Sequence, residues 1–178
     1  MKKINITYLI LTACLIYFVF IPKVLAVDYF LAWPGILPDN KIYKLKVLRN
    51  KIIYRIIVNP VKKVEFDLLM ADKTIYASKL LVDRGEIVLA KDTVLKGENY
   101  YSMLVQDYNM ALLKGKKIPS SLDRKITLAV IKHQEIFKEM ENAVSGEGKK
   151  VFQIVDKFSK INYGFIVGLR NPKKTNGE

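Results

Sequence analysis

The chain has 178 residues, with 30 lysines and arginines against 17 aspartates and glutamates, a formal charge of +13, one cysteine and one histidine. A length of this order favours a single core over two domains, and one cysteine excludes a disulfide framework within the chain. The excess of cations points to an anionic neighbour.

The opening string, MKKINITYLILTACLIYFVFIPKVLAVDY, sets Lys2 and Lys3 before a largely apolar run from Ile4 to Ile21, then Pro22 and a small-residue site ending at Ala26. This is the pattern of an export signal, with Val24 and Ala26 in the positions a signal peptidase reads and Val27 as the new terminus. About eighteen such residues are also just enough for an uncleaved anchor. Leu11 to Cys14 spell LTAC, as in a lipobox. The apolar run continues past it through LIYFVFI, which suits a small hydrophobe in mid-membrane better than a lipid attachment site.

Residues 27–178 then hold no cysteine, hence no thiol nucleophile, and thirteen less the three leader lysines leaves +10. Outside the cytoplasm the expected partners are anionic phospholipid or an acidic envelope polymer, with no nucleic acid expected.

Val27 to Pro38, punctuated by Pro34 and Gly35, reads as an extended lead-in to a helical domain over residues 39–169. Asp39 or Asn40 can cap the first helix, whose Ile42, Leu45, Leu48, Ile52 and Ile56 fall at helical spacing. Asn59 and Pro60 make a corner, because asparagine accepts the free amides of a new first turn and proline has none to strand. The second helix lines up Val61, Val64, Leu68, Ala71, Ile75, Ser78 and Val82, and stops at Gly85. The third lines up Ile87, Ala90, Val94, Gly97, Tyr101, Leu104, Tyr108 and Ala111, and breaks at Gly115 and Pro119. Gly97, on the inward stripe, permits a close helix approach or a slight kink.

Ser120 or Ser121 can cap a fourth helix with Leu122, Ile126, Ala129, His133, Phe137, Met140 and Val144 inward, up to the Gly146 and Gly148 pair. The last helix presents Val151, Ile154 or Val155, Phe158, Ile161 or Asn162, Phe165 and Leu169, and RNPKKTNGE, residues 170–178, is a polar tail. With no strand-like alternation, the expected fold class is all-α, an antiparallel bundle of about five helices behind the leader.

Three strings carry a resemblance: LPDN at Leu37 to Asn40, NPVKK at Asn59 to Lys63, and KHQEIFKEMENAV from Lys132 to Val144. Together they resemble the bacterial domain-of-unknown-function 5667 family over nearly the whole chain beyond the leader. The chain departs from that pattern in lacking a proline soon after LPDN, and in carrying Tyr, Ile and Phe where relatives carry Ala and Glu. The resemblance implies an exported helical domain and brings no catalytic residues.

Chemistry is sparse. His133 lies on an apolar line, which suits a core histidine hydrogen-bonded to a neighbour better than a general base. Glu135 points to another face, and no second histidine completes a zinc pair. Glu65, Asp67, Asp72, Asp83, Glu86, Glu135, Glu139 and Glu141 read mostly as solvated faces. A glycosidase-like pair would need two of them to converge from different helices. No catalytic, cofactor-binding or metal-binding residue is expected.

Charge is the sharper signal. Lys41, Lys44, Lys46, Arg49, Lys51, Arg55, Lys62 and Lys63 precede the first acid of the stretch, Glu65. They make a cationic helix with an apolar side, suited either to an anionic surface or to burial of that side in the bundle with the cations solvated. The expected role is a non-catalytic binding or scaffolding module at the bacterial cell envelope. The alternatives are an anchored regulator facing the cytoplasm, favoured by the lysines that follow the apolar run, and an envelope hydrolase.

Overall fold

A computed structural model describes residues 28–171. The leader, with Cys14 and the site after Ala26, and the tail beyond Asn171 lie outside the described residues. Five helices follow in chain order: α1 Tyr43–Ile56, α2 Pro60–Asp83, α3 Ile87–Leu113, α4 Ser120–Ala143 and α5 Gly146–Arg170. No strand occurs among the described residues.

The joints follow from local chemistry. Asn59 Oδ1 accepts from the Val61 amide at 2.9 Å with Pro60 in the first turn, the expected corner. After α2, Gly85 takes φ +79°, the Gly85 amide donates to the Val82 carbonyl, and the Glu86 amide donates to the Leu81 carbonyl. Gly115 repeats the arrangement after α3 with Leu112 and Ala111. This left-handed closure satisfies carbonyls that the helix end leaves open, and a side chain at that φ would be strained. Two starts differ from expectation. Asn40 Oδ1 accepts from the Ile42 amide in a turn before α1, so neither Asp39 nor Asn40 caps the helix. Pro119 holds the cap position of α4, with no side-chain cap bond.

Helices α2 to α5 close a ring in which α2 packs on α3 and α4, and α5 packs on the same two helices. Val64, Leu68, Tyr101, Leu104, Tyr108, Ile126, Val130 and Ile166 fill one end of the core. Ile75, Leu81, Val94, Phe137, Met140, Phe152 and Val155 fill the other. The inward lines read for α2, α3 and α4 are the buried ones, with Val61, Ile87 and Val144 at their partly buried ends.

Gly97 is where α3 meets α2 most closely: a Cβ there would lie 2.8 Å from Ile75 Cγ1 and 3.3 Å from the Ile75 backbone nitrogen. Alanine gains about 1 kcal/mol of helix propensity over glycine, whereas overpacking against a backbone costs about 1–3 kcal/mol. Gly97→Ala should therefore lower stability to urea. A variant more stable by the full propensity gain would contradict this close contact.

One open reading is decided and three expectations are corrected. Helix α1 lies outside the ring, and Ile42, Leu45, Leu48, Ile52 and Ile56 face solvent, because its inward side is Tyr43, Lys46, Val47, Asn50 and Tyr54. On α5 the buried line is Gly148, Phe152, Val155, Ser159 and Ile166, while Ile154, Phe158, Ile161 and Phe165 are exposed. The α5 helix turns this way because buried Glu98 of α3 takes the Asn162 amide at 2.6 Å, a bond that a turn toward Phe158 would lose. Asp67 and Asp72, read as solvated, are buried. Arg170, placed in the polar tail, is the last residue of α5 and donates to Asp123 Oδ1 at 3.0 Å and to its backbone carbonyl at 2.9 Å.

Candidate functional site

The lead-in and α1 form one layer laid on the ring. Residues 28–35 hold neither helix nor strand, and Tyr29 is buried, its hydroxyl donating to Asp72 Oδ2 at 2.6 Å. Trp33 meets Tyr76 edge-on at 5.7 Å. Lys46 reaches back from α1 and donates to the Pro34 carbonyl at 2.6 Å and the Ile36 carbonyl at 2.8 Å.

The inward side of α1 is polar and aromatic. Buried Asn50 donates to Met70 Sδ at 3.2 Å, and the Tyr54 hydroxyl donates to Asp107 Oδ2 at 2.8 Å. The Lys63 ammonium lies 4.5 Å from the centre of the Tyr54 ring. These contacts fix the rotation of the helix and leave its apolar stripe outward: Leu45 is 65% exposed, Leu48 55%, Ile52 49% and Ile56 71%. At 100° per residue, Lys44, Lys51 and Arg55 border the stripe on one side and Arg49 on the other.

The eight cations read from the sequence therefore divide. Lys41, Lys44, Arg49, Lys51 and Arg55 are exposed along or beside the stripe. Lys46 is spent on the lead-in carbonyls, Lys62 pairs with Glu65 at 2.6 Å, and Lys63 covers Tyr54. Burial first, then the neighbouring Lys73 and Arg49 charges, hold the Lys46 ammonium below the ordinary lysine range. Lys73 and Lys96 share a recess with Lys46 and Lys51. They were missed because they lie on α2 and α3, and nothing in the sequence joins three separate helices.

His133 has no exposed surface, and its Nε2 lies 2.7 Å from Asp72 Oδ1. Its ring meets Tyr101 edge-on at 6.2 Å and Phe137 at 6.3 Å. Tyr29, Asp72 and His133 thus join lead-in, α2 and α4 in one buried chain of hydrogen bonds. Two carboxyl groups do converge from different helices, Asp67 of α2 and Asp107 of α3. Burial first, then the neighbouring Asp107 carboxyl, push the Asp67 carboxyl upward, against a pull from Lys63. Asp67 has no exposed surface, so no substrate bond reaches it in this conformation. Among the described residues no three His, Cys, Asp or Glu side chains converge as a metal ion requires. No helix among them is long and apolar enough to cross a membrane.

What the site offers is a surface: an apolar stripe edged by cations on a helix that gives its polar side to the protein. Compared with known proteins, the chain matches no family model, no curated protein and no solved structure.

Proposed function

We propose that this chain is a non-catalytic binding module of the bacterial cell envelope, exported or anchored through its N-terminal apolar segment, which lays α1 on an anionic lipid surface. The observation that carries this is the outward stripe of Leu45, Leu48, Ile52 and Ile56, apolar yet unburied and bordered by Lys44, Lys51, Arg55 and Arg49. The likeness to the domain-of-unknown-function 5667 family, carried by the LPDN, NPVKK and KHQEIFKEMENAV strings, agrees with an exported helical domain.

A lipid surface satisfies both halves of such a helix, apolar side chains at the acyl boundary and cations among the head groups. Each cation near the surface contributes about 1 kcal/mol, and burying a half-exposed leucine or isoleucine contributes about 1 kcal/mol more. Four of each give about 8 kcal/mol before the loss of motional freedom, which makes the contact reversible. A stripe without cations would suit a protein partner equally well; the charges are what select lipid.

Residues 27–178 should bind phosphatidylglycerol vesicles and leave phosphatidylcholine vesicles largely free. Binding should weaken as salt rises from 0.1 M toward 1 M and the Debye length falls from about 10 Å to about 3 Å. Lys44→Glu, Arg49→Glu and Arg55→Glu together should abolish binding with the helical circular dichroism unchanged, since all three side chains are exposed. Equal binding to neutral and anionic vesicles would contradict the reading. Retention by an acidic wall polymer without vesicle binding would replace lipid with polymer as the partner.

A further inference from the structure

A recess of about 280 Å³ lies between α1, α2 and α3. Lys46 and Lys51 of α1, Lys73 of α2 and Lys96 of α3 line it, with Thr74 and Asn99 adding polar groups, and no carboxylate is part of the lining. Among the described residues, Lys51, Lys73 and Lys96 form no ion pair with a carboxylate. Elsewhere lysines are neutralised close by, as in Lys79 with Asp83 on α2 and Lys160 with Asp156 on α5, both at 2.6 Å.

The unneutralised charge is felt inside the recess, where Lys73 and Arg49 add to burial in disfavouring the ammonium of Lys46. The carboxyl group nearest enough to influence Tyr100, on the recess wall, is Asp67. Asp67 is itself buried, and burial with the neighbouring Asp107 pushes its carboxyl upward, so it offers little compensating charge. Three helices thus hold like charges together around an empty volume, and an entering anion relieves the repulsion.

The lining also selects the kind of anion. No arginine is part of it, so it lacks the planar fork that grips a carboxylate through two parallel bonds. Lysines drawn from three helices suit oxygens spread around a tetrahedral centre. The volume falls just under the range of about 300–1,000 Å³ typical of organic ligand pockets, which limits the guest to a small group.

We propose that the recess lined by Lys51, Lys73 and Lys96, with the carbonyl-bound Lys46 adding only its charge, binds a phosphate monoester, either a lipid head group or its free counterpart. The proposal deepens the surface reading by naming the anion, and it rests on that reading only for the lipid source. Lys51 belongs to both features, so the recess opens beside the cationic border of the α1 stripe.

The test is calorimetric titration of the full chain in zwitterionic detergent with glycerol 3-phosphate, with short-chain phosphatidic acid, and with acetate. Saturable binding of both phosphate compounds, at least tenfold tighter than acetate, is expected. Binding of phosphatidic acid alone would assign the lipid as the source, and equal binding of both would show that the phosphate group suffices. Lys73→Gln with Lys96→Gln, which keeps most of each stem and leaves α1 untouched, should weaken both at least tenfold with helical content unchanged. Leu48→Ser with Ile52→Ser should leave glycerol 3-phosphate binding as it was while removing vesicle binding, so the two readings fail separately. No saturable binding of either phosphate compound, equal affinity for acetate, or an unchanged double-glutamine variant would overturn the proposal.

Discussion

Asp72→Ala is expected to lower the melting temperature by about 10 °C or more. Asp72 is the shared acceptor of two buried groups, the Tyr29 hydroxyl at 2.6 Å and His133 Nε2 at 2.7 Å. Removing one member of a buried, hydrogen-bonded set costs about 3–5 kcal/mol, because the partners left behind lose water and partner together. In a domain of this size each kcal/mol moves the midpoint by about 2–4 °C. Asp72→Asn, which keeps the shape and can still accept from Tyr29, should cost much less. Tyr29→Phe should cost about 1 kcal/mol, the net worth of one hydrogen bond. Because Tyr29 ties the lead-in to the core, Asp72→Ala should also open residues 28–36 to protease and hydrogen exchange. A midpoint within 2 °C of the parent chain would show that this buried chain of bonds does not hold the lead-in. His133→Gln should lower stability by at most about 3 kcal/mol and leave membrane binding intact, since the ring touches no surface.

The second large effect is a stability that falls as pH rises. Burial pushes the Glu98 carboxyl up to about 7, against the lowering effect of its bond from Asn162. An acid whose folded pKa is raised binds its proton in the folded state across a range where the unfolded chain has released it. Its contribution is therefore complete below about pH 4.5 and is lost as pH climbs to about 7. That shift corresponds to about 3 kcal/mol between the acid and neutral limits. Asp67 adds in the same direction. Acid also raises the positive charge of an already basic chain, an opposing term, so the clean measurement is a difference between variants. Glu98→Gln keeps an acceptor for Asn162 and removes the proton. It should be more stable than the parent at pH 8 by up to about 3 kcal/mol, with the gap closing toward pH 4. A gap that does not change with pH would contradict the buried acid.

Periodicity was sufficient for α2, α3 and α4, where each apolar line meets another helix and steps of three and four identify the buried face. It left two readings open on α1 and mixed two faces on α5, for physical reasons. Period locates a stripe; it does not say whether anything covers it. On α1 the protein takes the side with Asn50 and Tyr54, whose partners Met70 and Asp107 are 20 and 53 residues away. On α5, Ser159 and Asn162 displace Phe158 and Phe165 from the core, because Glu98, 64 residues earlier than Asn162, needs a donor. The site was legible to the same degree. The run of cations was visible, but its division into exposed Lys44, Lys51 and Arg55, exposed Arg49 bonded to Asn50, and engaged Lys46, Lys62 and Lys63 depends on side-chain contacts that the run does not show. At Gly97 the inward stripe left a close approach and a kink both open, and the contact with Ile75 decides for the approach.

The central claim, that the stripe on α1 meets lipid, is tested most directly by depth. Residues 27–178 contain no cysteine, so single cysteines placed in turn along residues 44–56 can each carry one spin label. In phosphatidylglycerol vesicles, collision with oxygen should rise and fall with the helical period, highest at Leu45, Leu48, Ile52 and Ile56 and low at Lys44, Lys51 and Arg55. In buffer Leu45, Leu48, Ile52 and Ile56 should collide with oxygen no more often than Lys44, Lys51 and Arg55. A profile identical with and without vesicles, all labels remaining in water, would contradict the account.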